Sequence, residues 1–494
     1  MTIPFQTDLR PALPNVYGAS DYREFRDPLS RMDHLLRYSG VEDGLVSSAL
    51  ERWEKGSRET GVKVMAAQQQ RQRRMFHYGL RCNVARHLSG ESFRAFSIRI
   101  GDSSLIQWFT GISLFEHRKA ASKSSLERYE KYFQIEEVQQ AIRSLIGEVM
   151  SEKGAGELLG REEAVSLDEV FADCTCVKGN IHFPVDWVLF RDAARTLIAA
   201  IKLIRTRGLK HRMPEPSRLV KRMNRLCMEM TYARRRKDSR RVRKQVLRRI
   251  KKLAQTLRKH GEGYRILLAE KWEETEWSEA QTQLVLDRID NVLDKLPEAI
   301  HPAHERIIGE RRVANEDKIL SLYEEDVHVV VRGKAGAEVE FGNGLYLAEQ
   351  ENGLIIDWKL FKDQPPADTK LVKESLERME EAYGGIEAFC SDRGFDAAAN
   401  VRLLQEHEVY NAICPRNPLR LAQRKEEPRF IRLQSRRAQT EARIGIFKNA
   451  YLGSPLCSKG FEHKENTVVW CVLTHNLWVL ARMALAEERQ RKAA

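Results

Sequence analysis

The spacing of apolar residues changes along the chain and divides it into regions of different secondary structure. Over residues 61–165, and again over 185–325, apolar positions recur at helical intervals of three and four. After residue 326, short apolar runs are separated by glycines, which is the pattern of strands and turns. The sequence therefore predicts a sheet whose first strand is separated from the others by a long helical insertion.

Four regions are expected from this pattern. Residues 1–60 are expected to form an N-terminal arm, extended and proline-punctuated and followed by amphipathic turns, and residues 61–165 an all-α domain. An α/β domain comprises 166–184 and 326–485, and the helical insertion comprises 185–325. In the α/β domain, strands are predicted at 171–177, 327–331, 338–349, 354–360, 386–391 and 410–415, and helices at 368–383, 397–408, 434–452 and 466–488.

The all-α domain contains two short helices with a basic outer side. Asp102 can cap the first, which ends at Gly111, and a capping box beginning at Ser124 can open the second. Arg128 and Lys131 would lie on the exposed side of the second helix. Such a pair can form a helix-turn-helix reader of DNA, and it fits an ordinary helical packing domain equally well.

The helical insertion combines apolar seams with a high density of positive charge. Its two seams step by four, three and four residues, at Leu219, Met223, Leu226 and Met230 and at Val246, Ile250, Leu253 and Leu257. They fit dimer contacts or pairing within one chain. Charge runs on helices are often only solvated faces, but a net charge of +13 favours a polyanionic partner. We expect DNA contact through Arg234, Arg235, Arg236, Lys237, Arg240 and Arg241.

Composition places the chain among soluble globular proteins. Its hydrophobic fraction of 42% is ordinary, and residues 1–20 show no secretory signal. The longest apolar stretch, 468–486, is interrupted by polar residues and predicts a core helix rather than a membrane span. The eight cysteines show no paired framework, which fits a reducing cytoplasm.

Acids on three predicted elements form a candidate metal site. Asp173 lies in an apolar strand, Asp392 directly follows a later strand, and Glu441 lies on a helix near the C-terminus. Arg437 and Lys448 share one face of that helix with Glu441. Each acid alone also fits a structural role, as a satisfied buried aspartate, a turn residue or a surface ion pair. Together they can hold two divalent cations for phosphodiester chemistry, and Mg²⁺ suits their oxygen ligands.

The motif residues resemble those of bacterial insertion-sequence transposases that have an RNase H-like catalytic domain and a DDE triad, closest to the ISNCY type. The resemblance covers most of residues 75–485. The matching pieces, in chain order, are Asp173-Cys174-Thr175, Asn180 to Asp186, Arg332 to Gly336, Val339 to Gly342, Asp392 to Phe395, and Arg437 with Glu441. The ordered set is far more specific than any one piece.

The resemblance implies an α/β RNase H-like core with a mixed five-stranded sheet, interrupted by the helical insertion and preceded by an all-α DNA-binding region. It implies that Asp173, Asp392 and Glu441 are catalytic and bind two Mg²⁺ ions, for which Mn²⁺ can substitute. The family's last catalytic helix carries a signature of one tyrosine, one arginine, one glutamate and one lysine.

Three positions of this chain complete the comparison with that signature. Arg437 and Lys448 match its cations and are implied to contact DNA. Gln434 stands where the family has its tyrosine, which puts a tyrosine-dependent phosphate contact in doubt.

The activity implied is cleavage at transposon ends and transfer of the freed 3′-hydroxyl into target DNA. The implied partners are inverted-repeat end DNA and target DNA, bound by a homodimer or a larger oligomer in the bacterial cytoplasm at the nucleoid, with no membrane partner. Two alternatives use the same residues differently. One is a catalytically silent DNA-binding protein, such as a domesticated transposase or repressor, and the other is a hydrolytic RNase H-like nuclease.

Overall fold

The computed structural model describes residues 12–18, 20–112, 121–315, 317–334 and 337–493. The described residues form two compact units. The first unit lies within Met1–Val177, Gly344–Phe361 and Pro365–Ala494, and the second within Lys178–Asn343 and Lys362–Gln364. The first unit contains most of the sheet, and the second contains the helical insertion.

The N-terminal part of the first unit is helical. Its helices are α1 Ser20–Tyr38, α2 Val41–Glu59, α3 Ala66–Ser89, α4 Phe93–Asp102, α5 Ser104–Thr110, α6 Lys123–Glu130, α7 Ile135–Val149 and α8 Glu152–Gly154, which leads into a π-helical turn at Ala155–Leu159. The arm predicted over 1–60 is wrong from Ser20 onward, because Leu29, Met32 and Leu36 recur at helical spacing and are fully buried. Residues 1–11 lie outside the described chain.

Both predicted helix caps in this region are displaced. The cap of α5 is Ser103, whose side chain accepts from the backbone N–H of Ile106, and Asp102 ends α4 instead. The cap of α6 is Ser122 rather than Ser124. Since residues 113–120, which join α5 to α6, are outside the described chain, the predicted helix-turn-helix arrangement stays a prediction.

Within the described residues, four long helices make up the insertion in the second unit: α9 Asp186–Thr206, α10 Pro216–Ala233, α11 Ser239–Lys271 and α12 Glu279–Ile307. They share one hydrophobic core. All eight residues of the two predicted seams are buried in that core. Their burial shows that the seams pair helices within one chain.

In the part of the chain that the structure describes, the mixed sheet has six strands: β1 Glu169–Lys178, β2 His328–Lys334, β3 Ala337–Gln350, β4 Ile355–Leu360, β5 Ala388–Ser391 and β6 Tyr410–Ile413. The strand order is β2-β3-β1-β5-β6, with β4 also paired to β3. β1 pairs in parallel with β5, and β5 with β6, whereas β3 is antiparallel to β2 and β4. Among the described residues, all six strands predicted from the periodicity are present, one more than the five-stranded sheet that the resemblance implies. The 14-residue β3 pairs with β2 along one part and with β4 along another.

The remaining helices of the first unit surround its strands. They are a 3₁₀ turn at Asp368–Lys370, α13 Leu371–Tyr383, a 3₁₀ turn at Arg393–Phe395, α14 Ala398–Glu406, α15 Pro418–Arg424, α16 Pro428–Ile446, a π-helical continuation at Phe447–Leu452, and α17 Phe461–Ala493. Among the described helices, α17 alone is long and apolar enough to cross a membrane by length and composition. Most of its apolar window is buried inside the protein, as predicted for a core helix.

Candidate active site

Asp173 and Asp392 occupy equivalent positions on neighbouring strands. β1 and β5 run in parallel, and their register pairs Ala172 with Ser391. Asp173 and Asp392 are the next residues on the two strands, so the same register brings them side by side. The sheet therefore brings together two of the three predicted acids.

The main chain orients both aspartates. The Asp392 Oδ1 atom accepts a 2.7 Å hydrogen bond from the backbone N–H of Gly394, at the start of the 3₁₀ turn. The Asp173 Oδ1 atom accepts a 2.7 Å hydrogen bond from the backbone N–H of Cys174. Each carboxylate keeps its second oxygen for another partner.

The charges of the other two acids reach Asp173. Burial, then the negative charge of Asp392 and, more weakly, that of Glu441, raise the pKa of Asp173 from 3.8 to about 6. The Cys174 N–H and the Arg437 guanidinium act in the opposite direction. The three predicted acids thus form one electrostatic cluster, all within the first unit.

Glu441 is held by the predicted arginine. It lies on α16 with its side chain 55% exposed, and its Oε1 atom accepts a 3.1 Å hydrogen bond from Arg437 Nη1. The surface ion pair that the sequence offered as an alternative is therefore present. This ion pair is present together with the effect of the Glu441 charge on the pKa of Asp173. Arg437 therefore holds the Glu441 carboxylate on the Arg437 side of the cluster.

Gln434, the departure from the family signature, ties α16 to the sheet. Its Nε2 atom donates to the carbonyl oxygens of Ser391 at 3.1 Å and Ala412 at 2.6 Å, which lie in β5 and β6. Its Oε1 atom accepts from Arg437 Nε at 3.3 Å. Gln434 therefore links the strand before Asp392 to the arginine that binds Glu441.

Lys448 does not lie on a regular continuation of the α16 face. It belongs to the π-helical segment Phe447–Leu452, and its Nζ atom donates a 3.1 Å hydrogen bond to Thr175 Oγ1 on β1. Thr175 is two residues beyond Asp173. The cation thus lies near the first acid of the cluster, half-buried rather than on an open surface.

Sequence reasoning missed a fourth carboxylate, that of Asp368. A Cβ atom placed on Gly394 would lie 2.6 Å from Asp368 Oδ2 and 2.8 Å from Asp392 Oδ1, so both carboxylates converge on the same glycine. Burial, and then the charge and hydrogen bond of Asp368, raise the pKa of the Cys174 thiol. Asp368 starts a 3₁₀ turn. Because aspartate is common at such positions, the sequence does not distinguish Asp368 from an ordinary turn residue.

A buried polar network fixes α16 from its other side. The Glu349 Oε1 atom accepts from Thr440 Oγ1 at 2.7 Å and from Arg436 Nη2 at 3.1 Å. Arg443 Nη1 donates to the carbonyl oxygen of Glu351 at 3.0 Å. These bonds attach the helix of Glu441 to the end of β3, and no motif in the sequence marks them.

Among the described residues, no group of three or more His, Cys, Asp and Glu side chains is placed so that it could hold a metal ion. The donor chemistry nevertheless fits a hard divalent cation, because every acid of the cluster offers carboxylate oxygens. The mutual repulsion of Asp173, Asp392 and Glu441 is what a bound cation would relieve. These three acids are therefore the candidates for holding Mg²⁺ or Mn²⁺, and the metal site stays a prediction.

Three of the six predicted DNA-contacting cations of the insertion contact another side chain. Asp238 binds Arg236 at 3.0 Å and Arg241 at 3.1 Å, and the Arg234 guanidinium lies 5.1 Å from the centre of the Trp187 ring. The other three, Arg235, Lys237 and Arg240, are exposed. Arg128 and Lys131, at the end of α6, are also exposed.

The chain matches no protein-family model, no curated protein and no solved structure. The resemblance to DDE transposases therefore stays a prediction from the sequence.

Proposed function

We propose that this protein is a metal-dependent DNA transposase with an RNase H-like catalytic core. One observation carries the proposal. Asp173, Asp392 and Glu441 are 219 and 49 residues apart in sequence, and the charges of the latter two both act on Asp173. The mixed sheet with flanking helices, in which the acids follow the order strand, strand and helix, also supports it.

Each residue of the cluster has a definite part in this proposal. Asp173, Asp392 and Glu441 hold the divalent cations, and Gly394 and Arg437 hold Asp392 and Glu441 in place through hydrogen bonds. When bound, the metal ions supply activation of a water or a 3′-hydroxyl and stabilisation of the leaving oxygen. The basic insertion supplies phosphate contacts that position the DNA.

The experiment tests cleavage and joining separately. Purified protein is incubated with duplexes that carry the inverted repeats flanking its gene, in Mg²⁺ or Mn²⁺. We expect joined products, and we expect Asp173→Asn, Asp392→Asn and Glu441→Gln each to abolish them while DNA binding persists. Glu406→Gln, an exposed acid on α14, is the matched control and should remain active.

Each other outcome identifies a different protein. Cleavage without joined products favours the hydrolytic nuclease. DNA binding without any metal-dependent cleavage favours the catalytically silent DNA-binding protein. Full activity in one of the three acid variants removes that residue from the triad.

A further inference from the structure

Helices α10 and α11 form a hairpin. A basic surface lies on this hairpin at a distance from the turn that joins the two helices. On α10, Arg218, Arg222 and Arg225 are exposed, and on α11, Lys252 and Lys259 are exposed. The apolar seams of both helices are buried in the core of the insertion, so these cations project from the outer side of each helix. We call these five residues the hairpin face.

An ion pair shows that the two rows of cations lie on the same surface. Glu229 of α10 binds Arg249 of α11 at 3.0 Å. Arg225 and Arg222 precede Glu229 by four and seven residues and so share its side of α10. Lys252 follows Arg249 by three residues and lies next to it on α11. The Glu229–Arg249 pair therefore joins the rows into one surface.

The same pair fixes the register of the antiparallel hairpin. In an antiparallel hairpin, a residue some positions before Glu229 on α10 lies beside the residue about as many positions after Arg249 on α11. Arg225 therefore lies beside Lys252, and Arg218 beside Lys259. Arg218 to Arg225 spans about 10 Å along the helix axis, and packed helix axes are about 8–10 Å apart. The hairpin face is thus a compact patch rather than a scattered set of charges.

Within the described residues, none of these five cations has a carboxylate oxygen within 4.0 Å. The acids nearest in sequence are already engaged. Glu229 binds Arg249, Glu262 binds Arg258 at 2.9 Å, and Glu215 accepts from a backbone N–H at the start of α10. The like charges of the hairpin face repel one another until an outside anion neutralises them.

We propose that the hairpin face binds the sugar–phosphate backbone of duplex DNA. Over about 10 Å, one DNA strand presents roughly three phosphates, which matches the length of the patch. Three of the five cations are arginines, whose forked N–H donors bind phosphate in a bidentate manner. The choice of DNA as the polyanion rests on the proposed function, and the surface itself rests on the geometry of α10 and α11.

The test compares two variants that lose the same charge. In the hairpin variant, Arg218, Arg222, Arg225 and Lys252 become Gln. In the control variant, four cations of the insertion that already bind a carboxylate become Gln, namely Arg207, Arg258, Arg265 and Lys271. Binding of a duplex of unrelated sequence is measured by fluorescence anisotropy over a series of salt concentrations.

Each lost phosphate contact lowers the slope of log affinity against log salt by about 0.9. We expect the hairpin variant to flatten that slope by about three to four, and the control variant to leave it within about one of the original value. A double variant, Arg222→Gln with Arg225→Gln, should flatten it by about two and serves if the fourfold variant unfolds.

Three outcomes overturn the proposal. The first is an unchanged slope in the hairpin variant. The second is an equal loss in both fourfold variants, which means that only net charge matters. The third is normal DNA binding with loss of poly-glutamate binding, which assigns the face to an acidic protein.

The surface and the proposed function can fail separately. Joined products together with an unchanged slope overturn the surface alone. Hairpin-dependent DNA binding without metal-dependent chemistry overturns the proposed function alone.

Discussion

Gln434 donates a 3.1 Å hydrogen bond from its side chain to the carbonyl oxygen of Ser391, the last residue of β5. The next residue is Asp392, and the same glutamine amide accepts from Arg437, the partner of Glu441. A single side chain thus connects the strand that carries one acid of the cluster to the helix that carries another.

Replacing Gln434 with Leu should weaken metal binding more than it weakens the fold. The variant removes the acceptor of Arg437 Nε and one donor to the carbonyl oxygen of Ser391, which also accepts from the backbone N–H of Cys414. Arg437, and with it the Glu441 carboxylate that it binds, is then held less firmly. Loss of such outer partners typically lowers metal affinity about 10–100-fold. Isothermal titration calorimetry with Mn²⁺ measures the metal affinity. Gln439→Leu, an exposed change on the same helix, is the control, and equal affinities in both variants contradict the role.

Asp368→Asn should reduce strand transfer although the sequence gives this residue no role. Its carboxylate faces the same glycine as Asp392 and hydrogen-bonds with the Cys174 thiol, so removing its charge changes the field at the cluster. We expect a rate about tenfold lower, equivalent to about 1.4 kcal/mol in the barrier. Asp363→Asn, an exposed neighbour, should react at the normal rate. A normal rate for Asp368→Asn would make this acid merely structural.

Gly394→Ala should impair the site while sparing the fold. The new Cβ would lie 2.6 Å from Asp368 Oδ2 and 2.8 Å from Asp392 Oδ1, closer than carbon and oxygen can approach, so both carboxylates must turn away. Because carboxylates move easily, unfolding free energy should change by less than about 1 kcal/mol while Mn²⁺ affinity falls. Gly445→Ala on α16 meets no atom within 4 Å and is the control. Unchanged Mn²⁺ affinity in Gly394→Ala would show that the cluster tolerates the methyl group.

The raised pKa of Asp173 predicts a pH-dependent stability of the metal-free protein. Since the folded-state pKa is about 6 rather than 3.8, the folded state holds this proton longer than the unfolded state. The contribution of Asp173 therefore becomes less favourable as pH rises from about 4 to about 6, by roughly 3 kcal/mol at most. Asp173→Asn should be more stable than the parent at about pH 7, and the difference should shrink at about pH 5. Urea unfolding of both proteins at the two pH values measures this difference in stability. A difference that does not depend on pH would contradict the raised pKa of Asp173.

The N-terminal helices depend on a buried ionic group. Arg81 is buried and donates to Asp33 and Glu42, each at 2.5 Å. Arg81→Met removes the buried cation that the two carboxylates share, leaving Arg37 beside Asp33 and His77 beside Glu42, and should destabilise the protein by about 3–5 kcal/mol, seen in thermal unfolding. Arg71→Met, exposed on the same helix, should stay within about 0.5 kcal/mol of the parent. Equal stability of the two variants would mean that the buried carboxylates take up protons instead.

The part of the site that lies on strands could be predicted from the sequence. Asp173 interrupts an apolar strand and Asp392 ends one, and hydrophobic periodicity identifies both strands. The sequence shows the strands but not their pairing. The adjacency of the two acids depends on the β1–β5 register, which only the folded chain supplies.

Other contacts leave no local pattern. Gln434 and Asp368 make their contacts with residues that are distant in the chain. A glutamine or aspartate in a helical turn more often bonds only to its own neighbouring backbone or to water. Adjacent residues with equal capping ability also compete, which is why Ser103 caps α5 where Asp102 was expected. The pairing of β3 with both β2 and β4 could not be predicted either, since strand length alone does not reveal how many neighbours a strand has.

The β1–β5 register also divides the site into a fixed part and an adjustable one. Asp173 lies on β1 and Asp392 directly follows β5, so the pairing of these two strands holds the backbones of both aspartates close together. Glu441 depends on side-chain bonds from Arg437, which rotation of a few torsion angles releases. DNA that draws Arg437 to a phosphate would free Glu441 to turn towards the two aspartates. In the proposed function, the DNA substrate would then complete the site, and the protein without DNA would stay inactive.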